Sequence, residues 1–170
     1  LHEAASAFAQ ALRLVAAPET RGSWYAGWPH VAMARLLYEW NDLPAAQLQV
    51  EEGIQLAREG GDLRLLLDGY STLARVKQAQ GDVGGARDLF EEAKQLARHT
   101  DNRRELSHLM AYQTRLWLKQ GHLDRAACWA RESGLHAEDQ PSYEHETEAM
   151  ALAQVLLAQG EVDRALRLLE

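Results

Sequence analysis

The sequence predicts an all-α fold built from repeated helix hairpins, and three observations predict this class. Ala and Leu make up 55 of the 170 residues, whereas Val, Ile and Thr make up 13, so residues that favour helices far outnumber those that favour strands. Apolar residues recur at spacings of three and four along most of the chain. A short turn pattern also occurs four times at a nearly constant interval. These observations exclude an all-β or α/β domain.

The turn pattern consists of Gly or Asn, a polar residue, an aliphatic residue, two variable residues and Ala. It begins at Asn41, Gly81, Gly121 and Gly160, at spacings of 40, 40 and 39 residues. Gly or Asn accepts the left-handed conformation that ends one helix, and the next polar residue can cap the following helix. Each turn therefore predicts a hairpin of two helices, which we call helix A before the turn and helix B after it.

The hairpins follow in order along the chain. We predict A helices over 29–40, 63–80, 103–120 and 142–159, and B helices over 43–58, 83–98, 123–133 and 162–170. The alanine that ends each turn pattern allows the two helices of a hairpin to approach closely, as in a tetratricopeptide-type pair. The repeats are a half repeat at 1–17 and full repeats at about 28–60, 62–99, 102–135 and 141–170. We expect nine helices in a right-handed superhelix that forms one domain over 1–170.

The net charge and the cysteine content limit the binding partners and the cellular compartment that we expect for the chain. The chain has 18 Lys and Arg against 25 Asp and Glu, and its net charge of -7 disfavours a polyanion as partner of the whole domain. Cys128 is the single cysteine, which excludes an intramolecular disulfide and favours a reducing, cytoplasmic location. No apolar run approaches the roughly 18 residues that span a bilayer, so we expect no membrane segment. The first residue is Leu1, and we expect a fragment of a longer protein.

Arginines recur at the repeat period on the A helices. Arg35, Arg75 and Arg115 each lie six residues before the Asn or Gly of the turn, and Gln154 occupies the corresponding position in the fourth repeat. In stacked hairpins the A helices line the concave surface, so these residues predict a ladder along a groove. A row of guanidinium groups can bind a carboxylate, a phosphate or an acidic peptide terminus. The alternative is that the arginines pair with acidic residues of neighbouring repeats, such as Glu39 or Asp68.

Aromatic residues accompany the arginines on the A helices. Trp28, Tyr38 and Tyr112 share a face with the arginine ladder and are the aromatic candidates for the groove, where they could hold a sugar or another planar ligand. Tyr70 and Trp117 are predicted to lie in the core.

The sequence offers little for catalysis or metal binding. His136, Glu138, Asp139, Glu144, His145, Glu146 and Glu148 form the one cluster of histidines and carboxylates, but the cluster straddles a connector, which disfavours a rigid metal site. Cys128 has no nearby histidine in sequence and is expected to be a buried or half-buried small hydrophobe. No catalytic motif is present, so we expect no enzymatic activity.

Three passages resemble the helical-repeat region of MalT-like transcriptional regulators of the LuxR type. The most specific is Leu36-Leu37-Tyr38-Glu39-Trp40-Asn41-Asp42-Leu43, followed by Ala45-Ala46. The other two run from Arg115 to Leu135 and from Pro141 to Gly160.

The resemblance implies a large bacterial regulator with an ATPase module, a central helical-repeat sensor and a DNA-binding helix-turn-helix. The 170 residues contain neither a Gly-x-x-x-x-Gly-Lys-Ser/Thr loop nor a basic recognition helix, so ATP and DNA are expected to bind elsewhere, and no cofactor is expected here. The expected partners are a small-molecule effector or a peptide, with self-association in the full-length protein. The alternative is a generic scaffold whose concave face binds a peptide or protein.

Overall fold

A computed structural model describes residues 2–15, 25–99, 103–136 and 145–169. These residues form nine α-helices and no strand. The helices are α1 (His2–Val15), α2 (Trp28–Glu39), α3 (Leu43–Gly60), α4 (Leu63–Ala79), α5 (Val83–His99), α6 (Arg103–Lys119), α7 (Leu123–Glu132), α8 (Glu146–Ala158) and α9 (Val162–Leu169). The predicted all-helical hairpin fold is confirmed. Helices α2, α4, α6 and α8 are the A helices, and α3, α5, α7 and α9 are the B helices.

The turns that follow α2, α3, α4, α6 and α8 share one backbone arrangement. Each contains a residue with a positive φ: Asn41 (60°), Gly61 (67°), Gly81 (88°), Gly121 (78°) and Gly160 (83°). The residue after it donates its backbone N–H to a carbonyl five residues back, as from Asp42 to Leu37 at 2.9 Å and from His122 to Trp117 at 2.8 Å. This is the Schellman arrangement, which satisfies carbonyls that the helix end would leave unpaired.

Aspartates cap the helices that follow the first three of these turns. Their carboxylates accept backbone N–H groups three residues on: Asp42 from Ala45 at 3.2 Å, Asp62 from Leu65 at 3.0 Å and Asp82 from Gly85 at 2.8 Å. His122, at the same position before α7, makes no side-chain cap bond. The caps explain why these helices begin one residue after a polar residue, as the sequence predicts.

The chain divides into two compact units, Leu1–Leu96 and Ala97–Glu170, which we call unit 1 and unit 2. Unit 1 contains α1 to α4 and most of α5, and unit 2 contains α6 to α9. Repeats of the same type thus occur in both units, and residues at the same register can be compared between them. The single domain over 1–170 and the superhelix stay predictions.

In unit 1, α2 and α3 pack closely through small residues. Gly53 of α3 lies so near α2 that a Cβ at this position would be 2.7 Å from Cγ2 of Val31 and 3.2 Å from the carbonyl oxygen of Gly27. Val31, Ala57 and Leu65 form a buried cluster that joins α2, α3 and α4. Helix α4 is thereby held against the first hairpin.

In unit 2, one apolar core joins the four helices. Its members include Ala111 of α6, Trp129 of α7, Leu152 and Val155 of α8, and Leu168 of α9. The alanines that end the turn patterns are fully buried in both units: Ala46, Ala86, Ala126 and Ala165. The position that each turn pattern keeps for a small residue is therefore buried in every hairpin.

Among the residues that the structure describes, no helix combines the length and the apolar character needed to cross a bilayer.

Candidate functional site

In unit 1, the arginines of α2 and α4 both contact carboxylates. The Arg35 guanidinium of α2 forms an ion pair with Asp68 of α4, and its Nε lies 3.4 Å from Oγ1 of Thr72. Asp68 is largely covered, with 18% of its side chain exposed, so the pair is partly withdrawn from solvent. The Arg35 side chain thus connects two successive A helices.

The Arg75 guanidinium of α4 makes a reciprocal connection back to α2. Its Nη2 atom lies 3.2 Å from Oε1 of Glu39, and its central carbon is 4.4 Å from the centre of the Tyr38 ring. The aromatic face and the carboxylate both favour the cation in this position. The Tyr38 ring therefore lies beneath the Arg75 guanidinium.

Trp28 begins α2 and has both apolar and polar contacts. Its ring packs against the Val31 and Leu65 cluster, and its indole Nε1–H donates to Oδ2 of Asp62 at 3.0 Å. The Arg64 guanidinium lies 5.6 Å from the ring centre. Asp62 is also the cap of α4, so this tryptophan helps to fix the start of the next A helix.

Tyr70 of α4 is buried, which confirms its predicted place in the core. Its hydroxyl accepts from Nη2 of Arg58 at 2.8 Å and donates to Oε1 of Glu92 at 2.6 Å. Burial raises the pKa of the Tyr70 hydroxyl, and the hydrogen bond to Glu92 adds to that rise. This link between α3, α4 and α5 was not predicted. Trp117 of unit 2 packs against the core at partial exposure.

In unit 2, Arg115 occupies the register position of Arg35 and Arg75 but has a different partner. Its Nε donates to Oε1 of Gln154 at 3.2 Å, from α6 to α8. Among the described residues, no carboxylate forms an ion pair with this guanidinium. Arg115, Gln154 and Tyr112 are all half-buried. The predicted arginine and glutamine are thus brought together, with a neutral amide where unit 1 has carboxylates.

A second polar contact between α6 and α8 involves Glu148. Nε2 of His108 lies 3.4 Å from Oε2 of Glu148, whose side chain is 1% exposed. Neither carboxylate oxygen accepts a hydrogen bond. Glu148 lies 12 residues before Gly160, and Leu109, which is also buried, lies 12 residues before Gly121. Counting from the turns would therefore have found this carboxylate at a core position.

The helix-hairpin architecture agrees with the family to which the sequence is similar. The sequence profile of the MalT-like TPR region matches residues 1–170, the whole chain. The chain belongs to this family. Serine/threonine-protein kinase PknK is 46% identical over 56 residues in two strains of Mycobacterium tuberculosis, CDC 1551 / Oshkosh and ATCC 25618 / H37Rv, and in Mycobacterium bovis. The match covers 33% of this chain and 5% of the length of each kinase.

As a MalT-like TPR region, the chain has the fold of a helical scaffold, a type of structure that is typically not catalytic. Cys128 is partly buried and donates to Oε1 of Glu132 at 3.1 Å. The Glu132 carboxylate raises the pKa of the Cys128 thiol, which opposes formation of a nucleophilic thiolate.

The predicted histidine and carboxylate cluster lies partly outside the described residues. Glu138, Asp139 and Glu144 belong to the stretch that the structure leaves undescribed. Among the described part of this MalT-like TPR region, no group of three or more His, Cys, Asp and Glu side chains is arranged to hold a metal ion. Glu148, one member of the cluster, instead points into the helical core of unit 2.

Proposed function

We propose that this chain is the effector-sensing and protein-interaction region of an ATP-dependent, LuxR-type transcriptional regulator. The observation that carries the proposal is the match of the whole chain to the MalT-like TPR region. The effector binds on the A helices, where Arg75 lies beside Tyr38 in unit 1 and Arg115 lies beside Gln154 in unit 2. ATP and DNA bind to regions outside these 170 residues, and self-association belongs to the full-length protein, which works in the cytoplasm.

The composition of the A-helix faces supports a binding role. Arg75 and Tyr38 offer a cation beside an aromatic ring in unit 1, and Arg115 and Gln154 offer hydrogen-bond donors in unit 2. A few convergent polar groups beside aromatic surface are typical of small-molecule sites. No catalysis is required of these residues, so we expect no enzymatic activity.

A second candidate is a scaffold that binds a peptide or protein on the same faces. It is favoured by the similarity to serine/threonine-protein kinase PknK, since a stretch of 56 residues that is 46% identical occurs in a protein named as a kinase. Helical repeats bind extended peptides as readily as small molecules. The two candidates differ in the size of the ligand.

Thermal unfolding of the 170-residue chain tests both candidates. One panel contains sugars, amino acids, small acids and nucleotides, and the other contains peptides. A ligand at 100 times its dissociation constant stabilises the folded state by about 2.7 kcal/mol, which shifts the midpoint visibly. A shift with one metabolite supports the sensor, and a shift with peptides alone supports the scaffold.

Matched variants then locate the ligand. Arg75→Gln and Arg115→Gln change the A-helix faces of the two units, whereas Arg87→Gln changes an arginine of α5 whose side chain is 70% exposed and pairs with its neighbour Asp88. We expect one of the first two variants to reduce the ligand-induced shift and Arg87→Gln to leave it unchanged. Absence of a shift with either panel would contradict both the sensor and the scaffold.

A further inference from the structure

The three arginines of the ladder differ in whether a carboxylate of the protein neutralises the charge of the guanidinium. Asp68 pairs with Arg35, and Glu39 pairs with Arg75. Arg115 has only the side-chain oxygen of Gln154, and among the described residues no carboxylate neutralises it. A half-buried guanidinium without a counter-charge loses hydration without full compensation. Arg115 is therefore the arginine of the ladder best placed to take an anion from outside.

The hydrogen-bonding groups at this position point to the same chemistry. A guanidinium carries five N–H donors and no acceptor, and the bond to Gln154 uses only the one on Nε. Because Oε1 of Gln154 accepts from Arg115, the amide nitrogen of Gln154 is a further donor on the same side chain. The groups that remain, on Nη1 and Nη2 of Arg115 and on Nε2 of Gln154, are all donors. An oxyanion, which only accepts, complements such a set.

We propose that Arg115 and Gln154 bind an oxyanion, the carboxylate or phosphate group of the effector. This inference rests on the proposed function and names the chemical class of the ligand. The guanidinium donates two parallel hydrogen bonds to the anion, and the Gln154 amide adds a third. Arg35 and Arg75 do not take this role, because the carboxylates of Asp68 and Glu39 already neutralise their charges.

The buried carboxylate of Glu148 does not oppose this site directly. Glu148 and Gln154 are six residues apart on α8, which corresponds to about 9 Å along the helix axis. The side chain of His108 lies against Glu148, at 3.4 Å. Arg115 and Gln154 thus lie about two helical turns nearer the carboxyl ends of α6 and α8 than His108 and Glu148 do.

A titration of the 170-residue chain with arginine side chains labelled by ¹⁵N tests the inference. The probes are inorganic phosphate and succinate, added separately while sodium chloride keeps the ionic strength constant. We expect the Nε–H resonance of Arg115 to shift saturably with at least one probe, and those of Arg35 and Arg75 to shift far less. The probe that binds more tightly identifies the source of the oxyanion as phosphate or carboxylate. Equal small shifts of all three resonances would overturn the inference.

Two variants remove the site in different ways. Arg115→Gln removes the cation, and Gln154→Glu keeps the cation but supplies it with a carboxylate, as in unit 1. Each is expected to weaken binding of the probe by about 10-fold to 100-fold, the value of one or two hydrogen bonds to a charged group. Arg87→Gln is the control and should bind the probe as the unchanged chain does. If Arg115→Gln does not fold, Gln154→Glu alone decides the outcome.

The inference and the proposed function fail in different ways. An uncharged effector that stabilises the unchanged chain and Arg115→Gln equally would overturn the oxyanion site and leave the sensor intact. Saturable binding of a probe at Arg115, without a stabilising metabolite or peptide in either panel, would support the oxyanion site and contradict the sensor and the scaffold.

Discussion

Unit 1 and unit 2 contain the same type of repeat, but the arginine at the corresponding position of the A helix has different partners in the two units. In unit 1, Arg35 and Arg75 connect α2 and α4 through carboxylates, and in unit 2, Arg115 connects α6 and α8 through an amide. One carboxylate of α8, that of Glu148, is instead buried and lies against His108. A side chain that recurs at the repeat period can therefore form an ion pair in one repeat and have a neutral partner in another.

The largest change should follow from removing the carboxylate that pairs with Arg35. Asp68→Asn leaves this guanidinium with a neutral partner, as Arg115 has. We expect the free energy of unfolding of unit 1 to fall by about 1–3 kcal/mol, because the Asp68 side chain is mostly covered. Chemical denaturation gives the size of the change, and hydrogen exchange shows that it is confined to unit 1.

Glu39→Gln is the matched control for this change. Glu39 is 58% exposed, so its pair with Arg75 contributes about 0–1 kcal/mol. If Asp68→Asn costs no more than Glu39→Gln, the Arg35 pair is not a structural connection and the contrast between the units loses its basis.

A smaller change is expected at the hydroxyl of Tyr70. Tyr70→Phe removes the bonds to Arg58 and Glu92 and should lower the free energy of unfolding by about 1–2 kcal/mol. The residue 40 positions on is Met110, which packs against the core of unit 2, so this polar link is specific to unit 1. Tyr38→Phe keeps the ring under Arg75 and is the control. Equal stability of Tyr70→Phe and the unchanged chain would contradict the prediction.

Gln154→Glu should replace the hydrogen bond between Arg115 and the Gln154 amide by an ion pair of the kind found in unit 1. The new carboxylate pairs with Arg115 and should raise the free energy of unfolding of unit 2 by about 0–1 kcal/mol, the usual value of a partly exposed pair. The gain should shrink as salt is added. Denaturation at low and high ionic strength measures it, and a loss of stability at low salt would show that the two contacts are not interchangeable.

The smallest change concerns the cap of α5. The Gly85 N–H and then the Lys77 ammonium lower the pKa of the Asp82 carboxyl below its ordinary value of 3.8. A lowered pKa means that the unfolded state takes up the proton first, so this contribution to stability is present above about pH 4 and is lost as the pH falls further. Asp82→Asn should remove this part of the acid dependence. Denaturation at several pH values between neutral and strongly acidic checks it.

The turn before α7 provides the comparison for this acid dependence. His122 makes no side-chain cap bond there, so unit 2 has no carboxylate cap at this turn to lose. Hydrogen exchange in acid should therefore rise first around α5. An equal rise around α7 would contradict the role of Asp82.

The helices and turns were predictable from the sequence because local chemistry fixes them. Asn41 and the four glycines accept the conformation of the turn, and the aspartates that follow three of the turns cap the next helix. The burial of the four alanines that end the turn patterns was predictable from the same pattern. Such features depend on residues close in the chain, which the sequence displays directly.

The contacts between repeats were only partly predictable. The sequence indicates Glu39 and Asp68 as possible partners of the arginines, but the choice between ion pair and ligand depends on side-chain directions across two helices. The contact between His108 and Glu148 likewise depends on side-chain directions across α6 and α8. Whether the A-helix residues bind a ligand stays a prediction.

The Schellman turns connect successive helices through the same backbone arrangement. The backbone bonds at four of them are nearly identical: 2.9 Å from Asp42 to Leu37, 2.9 Å from Asp82 to Lys77, 2.8 Å from His122 to Trp117 and 2.9 Å from Glu161 to Leu156. The hydrogen bonds of each turn are made to the preceding helix. The chain can therefore be cut at one turn and rejoined at another without changing the local backbone. Duplication or exchange of a whole hairpin at these turns keeps the turn geometry and changes only the side chains that contact the new neighbouring repeat. Arginine pairing can thus change from one repeat to the next while the scaffold stays the same.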